Sequence, residues 1–97
     1  MGTCIMLASL TDEGARTIKE LPQWLQGSEQ LFKSMGAEIR EIYLVMGPYD
    51  WVLILEAPSD EVAAKLALAV GGRGKNRTQT LRAFTRAETL KLVQALP

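Results

Sequence analysis

Apolar positions along this chain recur with two different periods, and the switches between them predict the order of helices and strands. Residues 3–10 form a continuous apolar run of strand length, which indicates a strand covered on both faces. Residues 37–46, 51–56 and 77–85 place their side chains alternately on two faces, as strands do. The pattern therefore predicts four strands.

Helical spacing fills the long segment between the first two strands. Thr11 is a predicted N-cap, because its hydroxyl can accept from the amides of the next turn and two acids follow it. The first helix is predicted to run to Leu21, where Pro22 interrupts or restarts it. A second helical stretch is predicted to end at Gly36, the expected left-handed residue.

Two further helices are predicted in the second half of the chain. Ser59 is the N-cap of one, which Gly71 and Gly72 terminate, and Thr85 caps a short C-terminal helix. The order of elements is then the split βαβ arrangement of a ferredoxin-like α+β fold. We expect a single domain over residues 1–97, with an antiparallel four-stranded sheet, both long helices on one face, and a terminal helix.

The sheet face without helices cannot be wholly polar in this fold. The first strand is apolar at both parities, and the third strand carries two apolar sets: Trp51, Leu53 and Leu55 on one face, and Val52 and Ile54 on the other. An exposed apolar face of this size implies a partner, and a second copy related by two-fold symmetry is the simplest. We therefore expect at least a homodimer.

Charge is balanced over the whole chain, with 11 basic and 11 acidic residues. The balance gives no electrostatic case for binding nucleic acid or a membrane. The two halves differ, since residues 1–61 carry ten acids and four bases (net −6) and residues 62–97 carry seven bases and one acid (net +6). Either the halves pair within the fold or between subunits, or the basic region 73–86 binds an anion.

The chain has one cysteine, Cys4, and no histidine. A single cysteine excludes an internal disulfide, and Cys4 is expected to be a buried strand residue. The lack of imidazole removes histidine-activated nucleophiles and the usual zinc and haem ligands. We expect no metal and no cofactor, with only a carboxylate site for a hard cation left open. No apolar stretch of about 18 residues occurs, so a cytoplasmic protein is expected.

The segment Gly47-Pro48-Tyr49-Asp50 separates two apolar runs and predicts a hairpin turn with polar side chains on its exit side. Two roles are open for Asp50. It can accept hydrogen bonds from neighbouring amides and so stabilise the turn. It can instead act as a general base or bind a cationic group, with Tyr49 or Tyr43 donating a hydrogen bond.

The strand at residues 77–85 holds a second group of candidates. Thr80 and Arg82 share one predicted face, and a guanidinium beside hydroxyls suits a carboxylate or phosphate. The same alternation also occurs in strands that bind nothing, and Glu56 is one candidate ion-pair partner for Arg82. The glycine-rich residues 71–75 do not predict a phosphate loop, because they precede a strand and not a helix.

Several separate motifs occur in a recognisable order: Leu10-Thr11-Asp12-Glu13-Gly14, Gly47-Pro48-Tyr49-Asp50, Glu56-Ala57-Pro58, and Arg-Thr-Gln-Thr-Leu-Arg-Ala-Phe-Thr over 77–85. Together they resemble the GYD domain family of small bacterial and archaeal proteins, over nearly the whole chain. Pro48 stands inside the family's Gly-Tyr-Asp signature here. The resemblance implies a ferredoxin-like architecture of the dimeric α/β-barrel type and no defined activity.

These observations favour a small homo-oligomer that binds a small ligand, expected to be anionic, near Tyr49, Asp50 and Arg82. Thr80 and Tyr43 are further candidate ligand-binding residues. One alternative is a cofactor-free enzyme of monooxygenase or isomerase type, with Asp50 as base and Arg82 as anion clamp. The other is a self-assembly module whose polar face is a subunit interface. The sequence does not predict the ligand or the oligomer number.

Overall fold

The computed structural model describes residues 2–97 as four strands and four α-helices. In chain order these are β1 (Gly2–Leu10), α1 (Asp12–Arg16), α2 (Leu21–Ser34), β2 (Glu38–Leu44), β3 (Trp51–Ala57), α3 (Asp60–Gly72), β4 (Asn76–Ala83) and α4 (Arg86–Gln94). A short 3₁₀ turn, Ile18–Glu20, joins α1 to α2.

The four strands form one antiparallel sheet in the order β2-β3-β1-β4. β1 lies in the middle and pairs with β3 on one side and with β4 on the other. The two βαβ-like halves therefore interleave, which confirms the predicted ferredoxin-like α+β fold. β2 and β4 are left as the two edges of the sheet.

The prediction of one helix from Thr11 to Leu21 is wrong in detail. α1 ends at Arg16, and α2 begins at Leu21 with Pro22 in its first turn. Proline is tolerated there because the first amides of a helix have no partner within it. Two local predictions are confirmed: the Thr11 hydroxyl accepts from the Gly14 amide at 3.0 Å, and Gly36 has a positive φ of 79°.

Other boundaries differ from the predicted ones by one to two residues. β2 ends at Leu44, and one further backbone hydrogen bond, from the Val45 amide to the Asp50 carbonyl at 2.8 Å, closes the loop to β3. β4 ends at Ala83 and leaves Thr85 free to act as the N-cap of α4. α3 runs through its two terminal glycines instead of stopping before them, since a helical φ is open to glycine as well.

The core lies between the sheet and the layer of α2 and α3. Leu55 of β3 and Leu66 of α3 have no exposed surface, and Phe32 of α2 is nearly as buried. Cys4 is buried among them, as predicted. Alternate residues of β1 and β3 supply the sheet side of this core, so the strand period of two decides which of their side chains it includes.

α4 is the one α-helix of residues 2–97 without a buried residue. Its Leu90, Leu92 and Val93 are exposed although they are apolar. The Cα radius of gyration is 14.6 Å, whereas a compact chain of this length has about 12.5 Å. The molecule is accordingly elongated, with extents of 52 × 31 × 18 Å.

Candidate functional site

The loop between β2 and β3, residues 45–50, is fixed to the ends of β1 and β4 by four contacts. The Asp50 amide donates to the Ala8 carbonyl at 2.9 Å, and the Leu10 amide donates to Asp50 Oδ2 at 2.8 Å. The Ser9 hydroxyl donates to the Pro48 carbonyl at 3.2 Å. Asp50 thus extends the pairing of β3 with β1 by one residue and stabilises the turn through its carboxylate.

Tyr49 makes the fourth contact of this loop. Its phenol donates to Gln79 Oε1 of β4 at 2.6 Å. Because β1 lies between β3 and β4, the tyrosine reaches across the central strand. The polar side chains of the turn therefore join three strands at one end of the sheet. Both Tyr49 and Asp50 are half-buried, and each already has a partner within the chain.

Tyr43 lies near this loop but is not part of it. It pairs with Val52 in the β2–β3 ladder, and its ring is about half exposed on the face away from the helices. Tyr43 therefore belongs to the outer face of the sheet, at the edge strand.

Arg82 lies at the opposite end of the sheet and on the opposite face. Its Nε is 3.5 Å from Asp60 Oδ1 at the start of α3, and its Nη1 donates to the Thr3 carbonyl at 3.0 Å. The guanidinium also lies over the Phe84 ring, 4.9 Å from its centre. A shallow pocket of about 370 Å³ opens beside it, next to Cys4. Glu56, the partner considered from sequence, instead accepts from the Thr3 hydroxyl at 2.9 Å.

The structure does not bring the predicted site residues together. Arg82 pairs with Cys4 in the β1–β4 ladder, whereas Asp50 follows on from the Trp51–Ala8 pair. These two points lie five residue steps apart along β1, a distance of roughly 16 Å. Thr80 lies between them but under the helices, with its hydroxyl buried and without a hydrogen-bond partner.

The face of the sheet away from the helices, here called the open face, has an apolar centre. β1 and β3 supply Ile5, Leu7, Val52 and Ile54, which are adjacent in register. They are only half-buried, and nothing in residues 2–97 packs over them. Leu81 of β4, directly beside Ile5, is 49% exposed. The open face is therefore an uncovered apolar surface at the middle of the molecule.

A second feature, which the sequence did not reveal, is a cavity between α2 and the sheet. Its inner chamber measures about 60 Å³ and is lined by both tryptophans of the chain, Trp24 and Trp51. A mouth of about 320 Å³ is lined by Glu20, Trp24, Ser28, Val70, Arg73, Lys75 and Asn76. Chamber and mouth share Trp24, Ser28, Val70 and Asn76. The Asn76 Oδ1 is buried and accepts no hydrogen bond.

The basic second half of the chain pairs partly with the acidic first half. Lys75 Nζ is 3.3 Å from Glu13 Oε1, and Arg82 is paired with Asp60. Arg73 differs, since its Nη1 donates to the Ser28 hydroxyl at 3.2 Å but has no carboxylate within 4.0 Å among residues 2–97. Internal pairing thus accounts for only part of the charge asymmetry, since Arg73 shares the lack of a carboxylate partner among residues 2–97 with Lys65, Arg77, Arg86 and Lys91.

Two classes of site have no support in the described part of the chain. Residues 2–97 contain no cluster of three or more histidine, cysteine, aspartate or glutamate side chains that could hold a metal ion. None of their helices has the length and apolarity needed to cross a membrane.

The fold and the anchored loop define a small ferredoxin-like α+β domain with one covered face and one apolar open face. The sequence model of the GYD domain matches residues 4–93. A relative from Thermus thermophilus, named glutamine synthetase and cystathionine beta-lyase binding protein, is 34% identical over 91 residues, covering 93% of this chain and 96% of the relative. The chain belongs to the GYD domain family.

Proposed function

We propose that this chain is a homodimeric binding protein whose partners are enzymes of the two kinds named for the Thermus relative. The observation that carries the proposal is the open face, with Ile5, Leu7, Val52 and Ile54 at its centre and no cover from the chain itself. Fully burying an exposed aliphatic side chain of this size contributes about 1.5–3 kcal/mol. These side chains are already half-buried, so covering the rest of each adds a fraction of that and favours association.

A second copy of the chain is the occupant that the open face fits best. Two such faces can stack as two sheets do in a sandwich, each covering the other's aliphatic centre. A two-fold axis along the strands would set the β2 edge of one copy against the β4 edge of the other.

The protein-binding role rests on the similarity to the Thermus relative and on exposed surface that the dimer need not use. Leu90, Leu92 and Val93 of α4 remain more than half exposed, and apolar patches of this kind are typical of interaction sites. The anion site expected near Tyr49, Asp50 and Arg82 is not part of this proposal, because these residues lie apart and already have partners within the chain.

The dimer is tested by a pair of leucine-to-glutamate substitutions. Leu81→Glu introduces a charge into the open face, and Leu68→Glu introduces the same charge on α3, at a leucine that is 77% exposed. We expect light scattering to show a dimer for the wild type and for Leu68→Glu, and a folded monomer for Leu81→Glu. A dimeric Leu81→Glu variant, or a monomeric wild type at micromolar concentration, would contradict the arrangement.

The partner-binding role is tested separately with purified proteins. Glutamine synthetase and cystathionine β-lyase from the source organism would be titrated with the wild-type chain by calorimetry. We expect saturable binding to at least one of them, and weaker binding when Leu90 and Val93 of α4 are changed together to serine. If neither enzyme binds at micromolar concentration, the role named for the relative does not extend to this chain, whatever its oligomeric state.

A further inference from the structure

The cavity between α2 and the sheet lies on the covered face and takes no part in the proposed interface. Its inner chamber is walled by side chains of α2 and of the sheet, and its mouth opens beside the end of α3. We propose that this cavity binds a free α-amino acid with a small aliphatic side chain, in its zwitterionic form. The side chain enters the chamber, and the ammonium and carboxylate groups lie at the mouth.

The chamber selects a small apolar group. Trp24, Leu25, Phe32 and Leu53 are among the apolar side chains that line it. Its volume is about 60 Å³, whereas an apolar cavity of about 150 Å³ holds one benzene molecule. In proportion, the chamber has room for roughly two to three carbon atoms. This is about the size of the valine side chain.

The mouth carries charges of both signs. Glu20, at the end of the 3₁₀ turn, and Arg73, directly after α3, both line it. Neither has an opposite charge within 4.0 Å among residues 2–97. Lys75 also lines the mouth, but its ammonium is already paired with Glu13 at 3.3 Å. A ligand with one charge of each sign therefore matches this mouth better than an anion or a cation alone, because charged donors and acceptors make the stronger hydrogen bonds.

Asn76 lies where the chamber and the mouth meet, and its side-chain oxygen needs a hydrogen-bond donor. The residue lines both parts of the cavity, and its buried Oδ1 accepts no hydrogen bond from residues 2–97. An unsatisfied buried acceptor is costly and uncommon in folded proteins. An ammonium group has three donors, so the ammonium of one ligand has donors for both Asn76 Oδ1 and the Glu20 carboxylate.

Ser28 positions Arg73 for the ligand carboxylate. Arg73 Nη1 donates to the Ser28 hydroxyl at 3.2 Å, and Ser28 lines both the chamber and the mouth. The guanidinium keeps further donors, and it can bind a carboxylate through two parallel hydrogen bonds. The cavity thus combines an apolar chamber, an acceptor at its entrance and a guanidinium outside. An α-amino acid carries the matching side chain, ammonium and carboxylate on one carbon.

The test uses L-valine as probe, with three comparison compounds that each lack one of its groups. These are 3-methylbutanoate without the ammonium, 2-methylpropylamine without the carboxylate, and glycine without the side chain. Because both tryptophans of the chain line the chamber, tryptophan emission reports occupancy, and calorimetry gives the dissociation constant. We expect each comparison compound to bind at least tenfold more weakly than L-valine. Equal binding of 3-methylbutanoate or 2-methylpropylamine would overturn the assignment of a zwitterion.

Charge-removing variants locate the two ionic groups. Arg73→Gln should weaken binding of L-valine roughly tenfold and leave the affinity for 2-methylpropylamine unchanged. Glu20→Gln should weaken binding of both compounds and leave the affinity for 3-methylbutanoate unchanged. Arg86→Gln and Glu29→Gln remove the same charges outside the cavity and should change none of these affinities.

Two further outcomes would contradict the proposal. One is a wild type that shows no binding at millimolar L-valine, and the other is an Arg73→Gln variant that binds L-valine as the wild type does. None of these measurements depends on the dimer or on the enzyme partners, so the cavity can fail while the proposed function holds, and the reverse.

Discussion

The two faces of the central sheet are built from the same strands but differ in burial. On the covered face, Met6 and Leu55 have almost no exposed surface, because α2 and α3 pack over them. On the open face, Ile5 and Ile54, one residue earlier in each strand, are only half-buried by their neighbours in the sheet. The apolar character of a position therefore does not decide its burial, which depends on the layer that covers it.

This difference indicates that the open face is where the domain can gain further stability. A 97-residue domain has little margin in its own core, and this one leaves an aliphatic surface uncovered on its central strands. On the covered face the chain supplies both partners of each contact. On the open face it supplies one partner, and we propose that a second copy supplies the other.

Truncating neighbouring residues on the two faces should give the largest contrast. Leu55→Ala removes a side chain with no exposure and should lower the free energy of unfolding by about 2–5 kcal/mol, because it leaves a cavity. Ile54→Ala in a dilute, monomeric sample should cost roughly 1 kcal/mol, because its surroundings are already open to solvent. Urea unfolding followed by far-ultraviolet circular dichroism measures both.

The dependence of stability on protein concentration shows whether the open face is an interface between copies or a surface that stays exposed to solvent. If copies pair through it, the difference between wild type and Ile54→Ala should grow with protein concentration, since only the bound state buries Ile54 fully. The effect of Leu55→Ala should not change with concentration. Equal effects of the two substitutions in dilute solution would mean that the faces do not differ as described.

On the covered side, we also expect a larger side chain to be poorly tolerated where two backbone segments approach most closely. A Cβ added to Gly14 of α1 would lie 2.1 Å from the Lys75 carbonyl oxygen, whereas one added to Gly71 of α3 would meet nothing within 4 Å. We expect Gly14→Ala to destabilise the protein by about 1–3 kcal/mol, because the backbone must shift.

Gly71→Ala is the matched control for that substitution. It should be neutral or stabilise by up to about 0.5–1 kcal/mol, the difference in helix propensity. Thermal unfolding of the two variants measures the contrast. An unchanged melting temperature for Gly14→Ala would show that α1 is not packed against residue 75 in solution.

Thiol reactivity gives a smaller but more local measure of the two faces. Cys4 is buried, and burial raises the pKa of its thiol, with the charge of Arg82 opposing that shift. Iodoacetamide should therefore label Cys4 slowly at neutral pH, since little thiolate is present. In a Cys4→Ala background, Ile5→Cys should be labelled much faster in dilute solution and more slowly as the dimer forms. Mass spectrometry of the labelled peptide gives both rates.

Most of the fold followed from local patterns. Period-two alternation in β3, the caps Thr11, Ser59 and Thr85, and the left-handed Gly36 have physical causes within a few residues of each position. The break between α1 and α2 was less clear, because a proline at a helix start and a proline within a helix read alike in a sequence. In the structure α1 ends at Arg16, and Pro22 lies in the first turn of α2.

The site was harder to predict because it depends on contacts between distant residues. Asp50 and Arg82 are both polar and near strand ends, but the pairing with β1 places them at opposite ends of the sheet. The cavity arises from the fit between α2 and the sheet, and nothing near Asn76 in the sequence signals that its amide lacks a partner. Arg73 and Lys75, which line the mouth of the cavity together with Glu20, stand in the basic region 73–86.

α4 packs on neither face of the sheet within the chain. The smallest predicted effect therefore concerns the stability of its own N-terminal end. Thr85 and Glu88 form a reciprocal capping box, with the Thr85 amide donating to Glu88 Oε1 at 2.9 Å. Hydrogen bonds from the Thr85 backbone and side chain lower the pKa of Glu88 below its ordinary value. The carboxylate therefore stabilises α4 fully above the ordinary glutamate pKa, and the contribution is lost as the pH falls through the lowered pKa.

Amide chemical shifts of residues 86–94 in an acid titration measure this effect. We expect α4 to fray at its N-terminus in acid in the wild type, and Glu88→Gln to remove that pH dependence, while Glu29→Gln on α2 leaves it unchanged. The same titration, repeated at several protein concentrations, also shows whether α4 is covered by a partner copy. If α4 packs on a partner copy, its fraying should be smaller in concentrated than in dilute samples. Fraying that is independent of concentration would place α4 outside the interface, because its stability would then be set by its cap alone.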